Sequence, residues 1–199
     1  MKDVQFLIAT KNAGKQRELQ AVLADLGIKI LTLTDLGDLP DVEEDGRTFA
    51  ENSRKKALFY SSLTGVPTIA DDSGLEVTAL DHQPGVYSAR FAPTDEERIN
   101  KLLAMLEERE TESGAVDRSA RFVCAICAVI DADHIIEVEG DVHGEILRQP
   151  RGKGGFGYDP VFLDPSSGRS FAELSAEEKN RISHRAVALA RLKELLQAA

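Results

Sequence analysis

Apolar and polar positions alternate between two periods along this chain. Val4 to Ala9 is a short β-rich apolar run that gives way to the polar turn Thr10-Lys11-Asn12-Ala13-Gly14-Lys15. Leu19, Val22, Leu23 and Leu26 then fall at i, i+3, i+4 and i+7, the spacing of one helical face. The pattern predicts strand, turn and helix, with Gly27 closing the helix and a second strand over residues 28–33. Thr48-Phe49-Ala50-Glu51 has the Thr-x-x-Glu spacing of a reciprocal capping box and opens a helix over about residues 48–63, before Gly65 and Pro67. Thr68-Ile69-Ala70 reads as a third short strand that stops at Asp71-Asp72, with Ser73-Gly74 as the turn after it.

A second capping box, Thr94 with Glu97, precedes the stripe Ile99, Leu102, Leu103 and Leu106. Residues 119–131 and 135–147 read as two longer strands joined by Asp131-Ala132-Asp133-His134, an antiparallel hairpin. A glycine-rich loop spans Arg151 to Pro160, Val161-Phe162-Leu163 forms a short strand, and a third box, Ser175 with Glu178, opens the C-terminal segment. There Ala188, Leu192, Leu195 and Ala199 share one helical face. Strands and helices interleave early and a long hairpin sits in the middle, so the expected class is α/β: a central mixed sheet flanked by helices and pinched into two lobes around a cleft. With no repeat or linker-like stretch, residues 1–199 are expected to form one domain.

Composition narrows the function classes. The 199 residues carry 24 basic and 34 acidic side chains, 24 − 34 = −10, and 42% are hydrophobic. A globular chain this acidic lacks the Lys and Arg footprint that a phosphate polymer requires, so no nucleic-acid polymer is expected as partner, although a local basic pocket could hold a small anion. No apolar run reaches the about 18 residues of a membrane span, and the start lacks a signal-peptide pattern, so a cytoplasmic protein is expected. The two cysteines, Cys124 and Cys127, lie three apart in a strand-like run and point to opposite faces, which makes them core residues and not a shared metal site or bridge.

Four constellations could carry chemistry. The turn from Thr10 to Lys15, between a strand and a helix N-terminus, fits either an anion site with Lys15 as its charge or a plain capping turn. It is not a Walker loop, because Gln16 stands where Ser or Thr is required. Glu43, Glu44, Glu51 and the pair Asp71-Asp72 form an acidic set of the kind that holds Mg²⁺ against substrate phosphates. Glu51 and Glu44 have plainer readings, as a cap partner and as a solvated loop charge. Adjacent carboxylates repel, a cost that a bound cation would relieve. In the glycine loop, Phe156 and Tyr158 offer flat faces for a base, although Tyr158 is also a candidate core residue. Lys179 to Arg185 is a basic cluster, either a ligand surface or a solvated helix face.

Taken in order, Thr10-x-Asn12-x-x-Lys15, Thr48-Phe49-x-Glu51-Asn52, Ala70-Asp71-Asp72-Ser73-Gly74-Leu75, Pro84-Gly85-Val86-Tyr87-Ser88-Ala89-Arg90, Phe156-Gly157-Tyr158-Asp159-Pro160 and Ser183-His184-Arg185-Ala186 resemble the inosine triphosphate pyrophosphatase family, also called dITP/XTP pyrophosphatases. The resemblance spans residue 4 to about residue 190 and is to the bacterial type. It implies an elongated α/β fold and a Mg²⁺-dependent, homodimeric hydrolase that cuts ITP, dITP and XTP to monophosphate and pyrophosphate. By the same resemblance Thr10, Lys11, Asn12, Ala13, Gly14 and Lys15 hold the triphosphate, and Glu43 and Asp72 bind Mg²⁺. Asp72 is also the proton acceptor, and Ser73 contacts substrate. Phe156, Gly157, Tyr158 and Asp159 form the nucleoside pocket with Lys179, His184 and Arg185. Asp45, Ser53 and Phe91-Ala92-Pro93 depart from the usual pattern at positions with no implied catalytic role. A non-enzymatic nucleotide sensor and a pyrimidine-directed pyrophosphatase are the alternatives. Asp71-Asp72 with Glu43 counts against the first, and the Phe-Gly-Tyr-Asp and Ser-His-Arg motifs count against the second.

Overall fold

A computed structural model describes residues 5–23 and 28–198. The chain forms two compact units: one comprises residues up to Asp72, Cys124–Gly140 and the residues from His184 on, the other Ser73–Val123 and Asp141–Ser183. A seven-stranded sheet runs in the order β2-β1-β3-β4-β5-β6-β7. Its strands are β1 (Gln5–Ile8), β2 (Lys29–Thr32), β3 (Thr68–Val77), β4 (Ser119–Val129), β5 (Ile135–Ile146), β6 (Phe162–Asp164) and β7 (Arg169–Ser170). β1 is parallel to β2 and β3, whereas β6 is antiparallel to β5 and β7, so the sheet is mixed as expected. β4 and β5 are neighbours joined through a tight turn in which Ile130 N–H donates to the His134 carbonyl at 3.0 Å. A connection that short demands the antiparallel sense.

The helices are α1 (Ala13–Leu23), α2 (Phe49–Thr64), α3 (Asp95–Ser113), α4 (Ala176–Ile182) and α5 (His184–Ala198). Their ends follow the capping chemistry read from the sequence, with one change. Thr94/Glu97 and Ser175/Glu178 close full reciprocal boxes. Thr48 Oγ1 accepts from Glu51 N–H at 3.1 Å, but the Glu51 carboxylate takes the N–H of Arg47 instead of returning to Thr48. The last segment also differs from a single helix: Ser183 is extended (φ −71°, ψ 156°) and separates α4 from α5. The face of α5 that packs is Ala188, Leu189, Leu192 and Leu196, leaving Leu195 46% exposed. Leu26, Gly27 and Ala199 lie outside the described residues, as does the side chain of Val22.

β3 departs most from expectation. It does not stop at Ala70 but continues through Asp71, Asp72, Ser73 and Gly74 to Val77, so the expected turn is a strand interior. Two adjacent aspartates read as a strand end because Asp is depleted in strands. Here the charge of Asp71 is met by the buried Arg185 and the partly buried Lys15, and Leu75 and Val77 resume the apolar pattern, so the ladder has no reason to break.

Strand alternation divides the first unit's core. Phe6, Ile8, Ile69, Cys124 and Ile126 share a cluster with Leu19 and Leu23 of α1 and with the buried face of α5. Leu7, Ala9, Ala70, Cys127 and Val129 share another with Ala57 and Tyr60 of α2. The second unit packs Ile99, Leu102 and Leu106 of α3 against Leu75, Val77 and the rings of Phe122, Phe162 and Phe171. Phe122 and Phe162 have centroids 4.4 Å apart. Among the described residues no helix is long and apolar enough to cross a membrane.

Cys124 and Cys127 thus lie on opposite faces of β4, both free and buried, and burial pushes both thiols up to about 12. A thiol held that far above neutrality supplies almost no thiolate. Both cysteines should resist iodoacetamide in the native protein at pH 7 and react in full in denaturant, as read by mass spectrometry. Rapid native alkylation of either would refute this packing.

Candidate active site

Ile8 of β1 pairs with Ile69 of β3, so Asp71 and Asp72 stand beyond the end of β1, beside the turn that leads into α1. Being consecutive in a strand, they point to opposite faces. Asp71 faces α1 and α5. Its Oδ2 lies 3.0 Å from Lys15 Nζ and 3.5 Å from Arg185 Nε. Arg185, only 1% exposed, also pairs through Nη1 with Glu18 of α1. Two carboxylates and two cations are interleaved here, which is the condition for burying charge at tolerable cost. Burial alone would raise the pKa of Asp71, but Lys15 and then Arg185 and Lys56 outweigh it and hold the carboxyl far below the usual range.

Asp72 faces α2. Asn52 Nδ2 donates to its Oδ2 at 2.9 Å, and the same Asn52 accepts the Gly46 N–H at 2.8 Å, which ties the acidic loop to the carboxylate. Lys56, four residues along α2, reaches Glu44 at 2.7 Å, while Glu44, Asp71 and Asp72 together keep its buried ammonium charged against desolvation. Burial raises the pKa of Asp72, and Lys15, Lys56 and the Asn52 bond recover only part of that shift. The neighbours therefore differ in kind: Asp71 is a fixed anion, and Asp72 is a carboxyl with raised proton affinity. Strand geometry separates the two carboxylates, and Lys15 and Lys56 act on both.

The turn before α1 is occupied largely by its own side chains. Asn12 Oδ1 accepts from Gly14 N–H (2.9 Å) and Lys15 N–H (3.1 Å), Thr10 Oγ1 accepts from Asn12 N–H, and Gln16 Nε2 donates to the Thr10 carbonyl. Asn12 is thus the helix cap, and two of the donors expected to face an anion are already engaged. Lys11 pairs with Asp41 in the open at 2.5 Å. Beside the turn lies a cavity of about 320 Å³, lined by Thr10, Lys11, Gln16, Leu33, Thr34 and Asp38, within the size range of ligand pockets.

In the second unit, Asp159 organises the glycine loop. Its Oδ2 accepts from Phe156 N–H (2.9 Å) and from Lys179 Nζ (2.6 Å), and the Lys179 ammonium lies 4.5 Å from the centroid of the Phe156 ring. A Cβ at Gly155 (φ +71°) would stand 2.0 Å from that same Oδ2, so no larger residue fits there. Tyr158 is 4% exposed, packs in the core and donates its hydroxyl to the Ser88 carbonyl at 3.0 Å. The Tyr158 ring therefore supports the loop from beneath, and Phe156, half-buried, is the aromatic face that remains. Ser88 belongs to the Pro84–Arg90 motif, and its Oγ also accepts from Leu75 N–H, so that motif braces β3.

Glu43 is exposed in the acidic loop, Glu51 is spent on Arg47, Ser73 is half-buried in β3, and His184 is buried at the start of α5. Among the described residues no three His, Cys, Asp or Glu side chains converge as a metal cage. Residues 6–195 match the sequence profile of the Ham1 family. The chain belongs to the Ham1 family. This Ham1 protein is 47% identical over 195 residues to a protein of Geobacter sulfurreducens named dITP/XTP pyrophosphatase, with 96% of each chain covered. It is 50% identical over 202 residues to a protein of the same name from Bacillus licheniformis, with 100% of each covered. Among solved structures, a HAM1 protein from Coxiella burnetii matches with a TM-score of 0.89 at 44% identity, covering 98% of this chain and 100% of that one. The Staphylococcus aureus Ham1 protein matches with a TM-score of 0.85 at 38% identity over 98% of each.

The motif reading assigned no role to several residues this Ham1 site depends on: Glu18, Asn52 and Lys56. Asn52 and Lys56 carried a signal, since two polar residues at i, i+4 on a buried helix face require partners. Glu18 carried none, because its partner Arg185 is 167 residues away.

Opposite roles for the two aspartates give opposite stabilities. Asp71→Asn removes the counter-charge of the buried Arg185 and the partly buried Lys15 and should cost about 3–5 kcal/mol. Asp72→Asn keeps an oxygen for the Asn52 amide and removes a charge that burial disfavours, so stability at pH 7 should hold or rise. The pH dependences are also opposed. The contribution of Asp71 is present above its unfolded pKa, about 3.9, and is lost as pH falls through its lower folded value. That of Asp72 is present below about 3.9 and is lost as pH rises through its raised folded value. Thermal melts of both variants in metal-free buffer decide the matter, and equal destabilisation would contradict the assignment.

Proposed function

We propose that this protein is a nucleoside triphosphate pyrophosphatase that hydrolyses non-standard purine nucleotides, ITP, dITP, XTP and dXTP, to the monophosphate and pyrophosphate. The observation that carries the reading is the division of labour between Asp71 and Asp72. Carboxyls whose surroundings push their proton affinities apart are the pattern of an acid–base site, and here the one with raised affinity stands beyond the end of a parallel strand. The names of relatives 47% and 50% identical over nearly the whole chain support the same chemistry.

Asp72 would take the proton of the attacking water, with Asn52 fixing the rotation of its carboxyl. Lys15, held near the site by Asp71, would neutralise the departing pyrophosphate, and the 320 Å³ cavity at Thr10 and Lys11 would give the phosphate chain room. A Mg²⁺ ion suits this donor set, because hard cations of this size take one or two carboxylates plus phosphate oxygens, and the buried Asp72 gains from a nearby positive charge. Asp72 and Glu43 would hold it, and its contribution would be charge neutralisation and alignment of the phosphates. Ser73, next along β3, would contact the substrate.

Purine selection would fall to the loop Phe156-Gly157-Tyr158-Asp159 and to donors from Lys179, His184 and Arg185. A 6-oxo purine offers an acceptor where adenine offers an amino group, so a donor-lined pocket leaves adenine facing unpaired groups. The position of Lys179 beside the Phe156 ring supports this part, whereas Arg185 is held by Glu18 and Asp71. A homodimer in the cytoplasm is the proposed setting, acting on precursors before polymerisation.

A triphosphate panel with Mg²⁺, its products resolved by chromatography, tests the function. ITP should yield IMP and pyrophosphate, ATP should be a much poorer substrate, and a chelator should abolish turnover until Mg²⁺ is restored. Asp72→Asn should lower kcat by about 10²- to 10⁴-fold. Inosine diphosphate with free phosphate as products, or no turnover by the intact protein, would overturn the proposal.

A further inference from the structure

The loop that carries Phe156 is fixed from a direction no motif indicates. Asp95, the first residue of α3, accepts the N–H of Gly157 on its Oδ2 at 2.8 Å, across 62 residues of sequence. A carboxylate at the first position of a helix ordinarily serves the helix's own N-terminus. Here one oxygen leaves the helix for the loop, and the other is held by Arg98 Nη1 at 2.6 Å. Arg98 is itself anchored, with Nε on the Ala92 carbonyl at 2.8 Å and Nη2 near the Pro93 carbonyl at 3.4 Å. The carboxylate therefore stands in one orientation, set by the backbone that leads into α3.

The Gly157 N–H belongs to the Phe156–Gly157 peptide, and the carbonyl of that same peptide accepts from Asp159 N–H at 3.3 Å. On the other side of the Phe156 Cα, the Phe156 N–H is held by Asp159 Oδ2. Both backbone torsions of Phe156 are thereby set, one by Asp159 and the other by Asp95 with Asp159. Gly157, at φ +61°, has no Cβ to restrict rotation of the peptide before it, so the bonds to that peptide are what hold it. The backbone held in this way fixes the direction of the Phe156 Cα–Cβ bond that carries the ring, and the Lys179 ammonium lies 4.5 Å from the ring centroid.

We propose that Asp95, oriented by Arg98, is a positioning residue for purine recognition: it touches no substrate but locks the Phe156–Gly157 peptide and so the plane on which the base stacks. The inference rests on the proposed function and adds to it a specificity element outside the motifs.

The test compares wild type, Asp95→Ala, Asp95→Asn and Arg98→Ala by steady-state kinetics with ITP and ATP, and by amide exchange of residues 151–160. A hydrogen bond to an ionised acceptor supports an estimate of a KM for ITP raised about 3- to 10-fold in Asp95→Ala, with kcat within about twofold and a narrowed ITP-to-ATP preference. Exchange should accelerate in residues 151–160 and stay unchanged in β4. Asp95→Asn keeps an acceptor oxygen and should recover most of the KM, while Arg98→Ala should fall between. If Asp95→Ala does not fold, the Asp95→Asn and Arg98→Ala pair carries the same ranking. A kcat loss without a KM change, an unchanged KM, or uniform exchange acceleration across the chain would overturn the inference. Absence of purine triphosphate turnover by wild type would instead overturn the enzymatic reading, leaving the exchange result to report on the lock alone.

Discussion

The two-residue period of β3 is the constraint on which the carboxylate site depends. Because Asp71 and Asp72 are consecutive in a strand, the backbone turns one toward α1 and α5 and the other toward α2, and each meets a different environment. Lys15 and Arg185 bind the first as an ion, and Asn52 and Lys56 surround the second without fully stabilising its charge. A one-residue slip of β3 in one direction would set Ala70 against Lys15 and Arg185 and leave them without a carboxylate, and in the other would set Asp72 there and Ser73 against Asn52 and Lys56. The buried ion cluster therefore acts as a register pin for the strand as well as a scaffold for chemistry.

That pin reaches widely through the first unit. Arg185 opens α5 and Glu18 lies in α1, so the same charges that hold Asp71 join both helices to β3, over the cluster built on Ile8, Ile69 and Cys124. On the other face, Asn52 links α2, the acidic loop at Gly46 and Asp72 through a single side chain. Polar connections of this kind are costly when broken, because each partner is left buried without its counterpart. The aspartates, helices and loop are accordingly fixed as one assembly, and the helix propensities of α1 and α5 do not have to hold it alone.

What the sequence disclosed, and what it did not, follows the range of the interactions. Thr94 with Glu97 and Ser175 with Glu178 were legible because both partners lie within one helical turn. The opposed cysteines and the order of the motifs were legible for a similar reason, the one resting on strand period and the other on linear spacing. The extent of β3 was not, because local propensity counts two aspartates against a strand while the cations that permit them come from residues 15, 56 and 185. Thr48 and Glu51 show the limit even at short range: the spacing was right, yet the carboxylate bonds the Arg47 N–H and does not return to Thr48. Asp95 and Glu18 lay beyond reach altogether, since nothing local marks an acidic residue on a helix as the partner of a distant peptide or guanidinium.

The net charge of −10 gains a local meaning from the pairing of cations within each unit. Lys15 is matched with Asp71, Arg185 with Glu18 and Asp71, Lys56 with Glu44, and Lys179 with Asp159. Each of these cations thus has a carboxylate partner, so on the proposed function a triphosphate arriving at Lys15 would compete with an existing ion pair. Drawing Lys15 toward phosphate would weaken its hold on Asp71 and transfer more of that burden to Arg185. A divalent ion brought with the proposed nucleotide would avoid this exchange by adding positive charge from outside the protein's own balance. On the proposed function, that balance favours a divalent cation accompanying the nucleotide and would let an acidic chain take a polyanion without a basic surface.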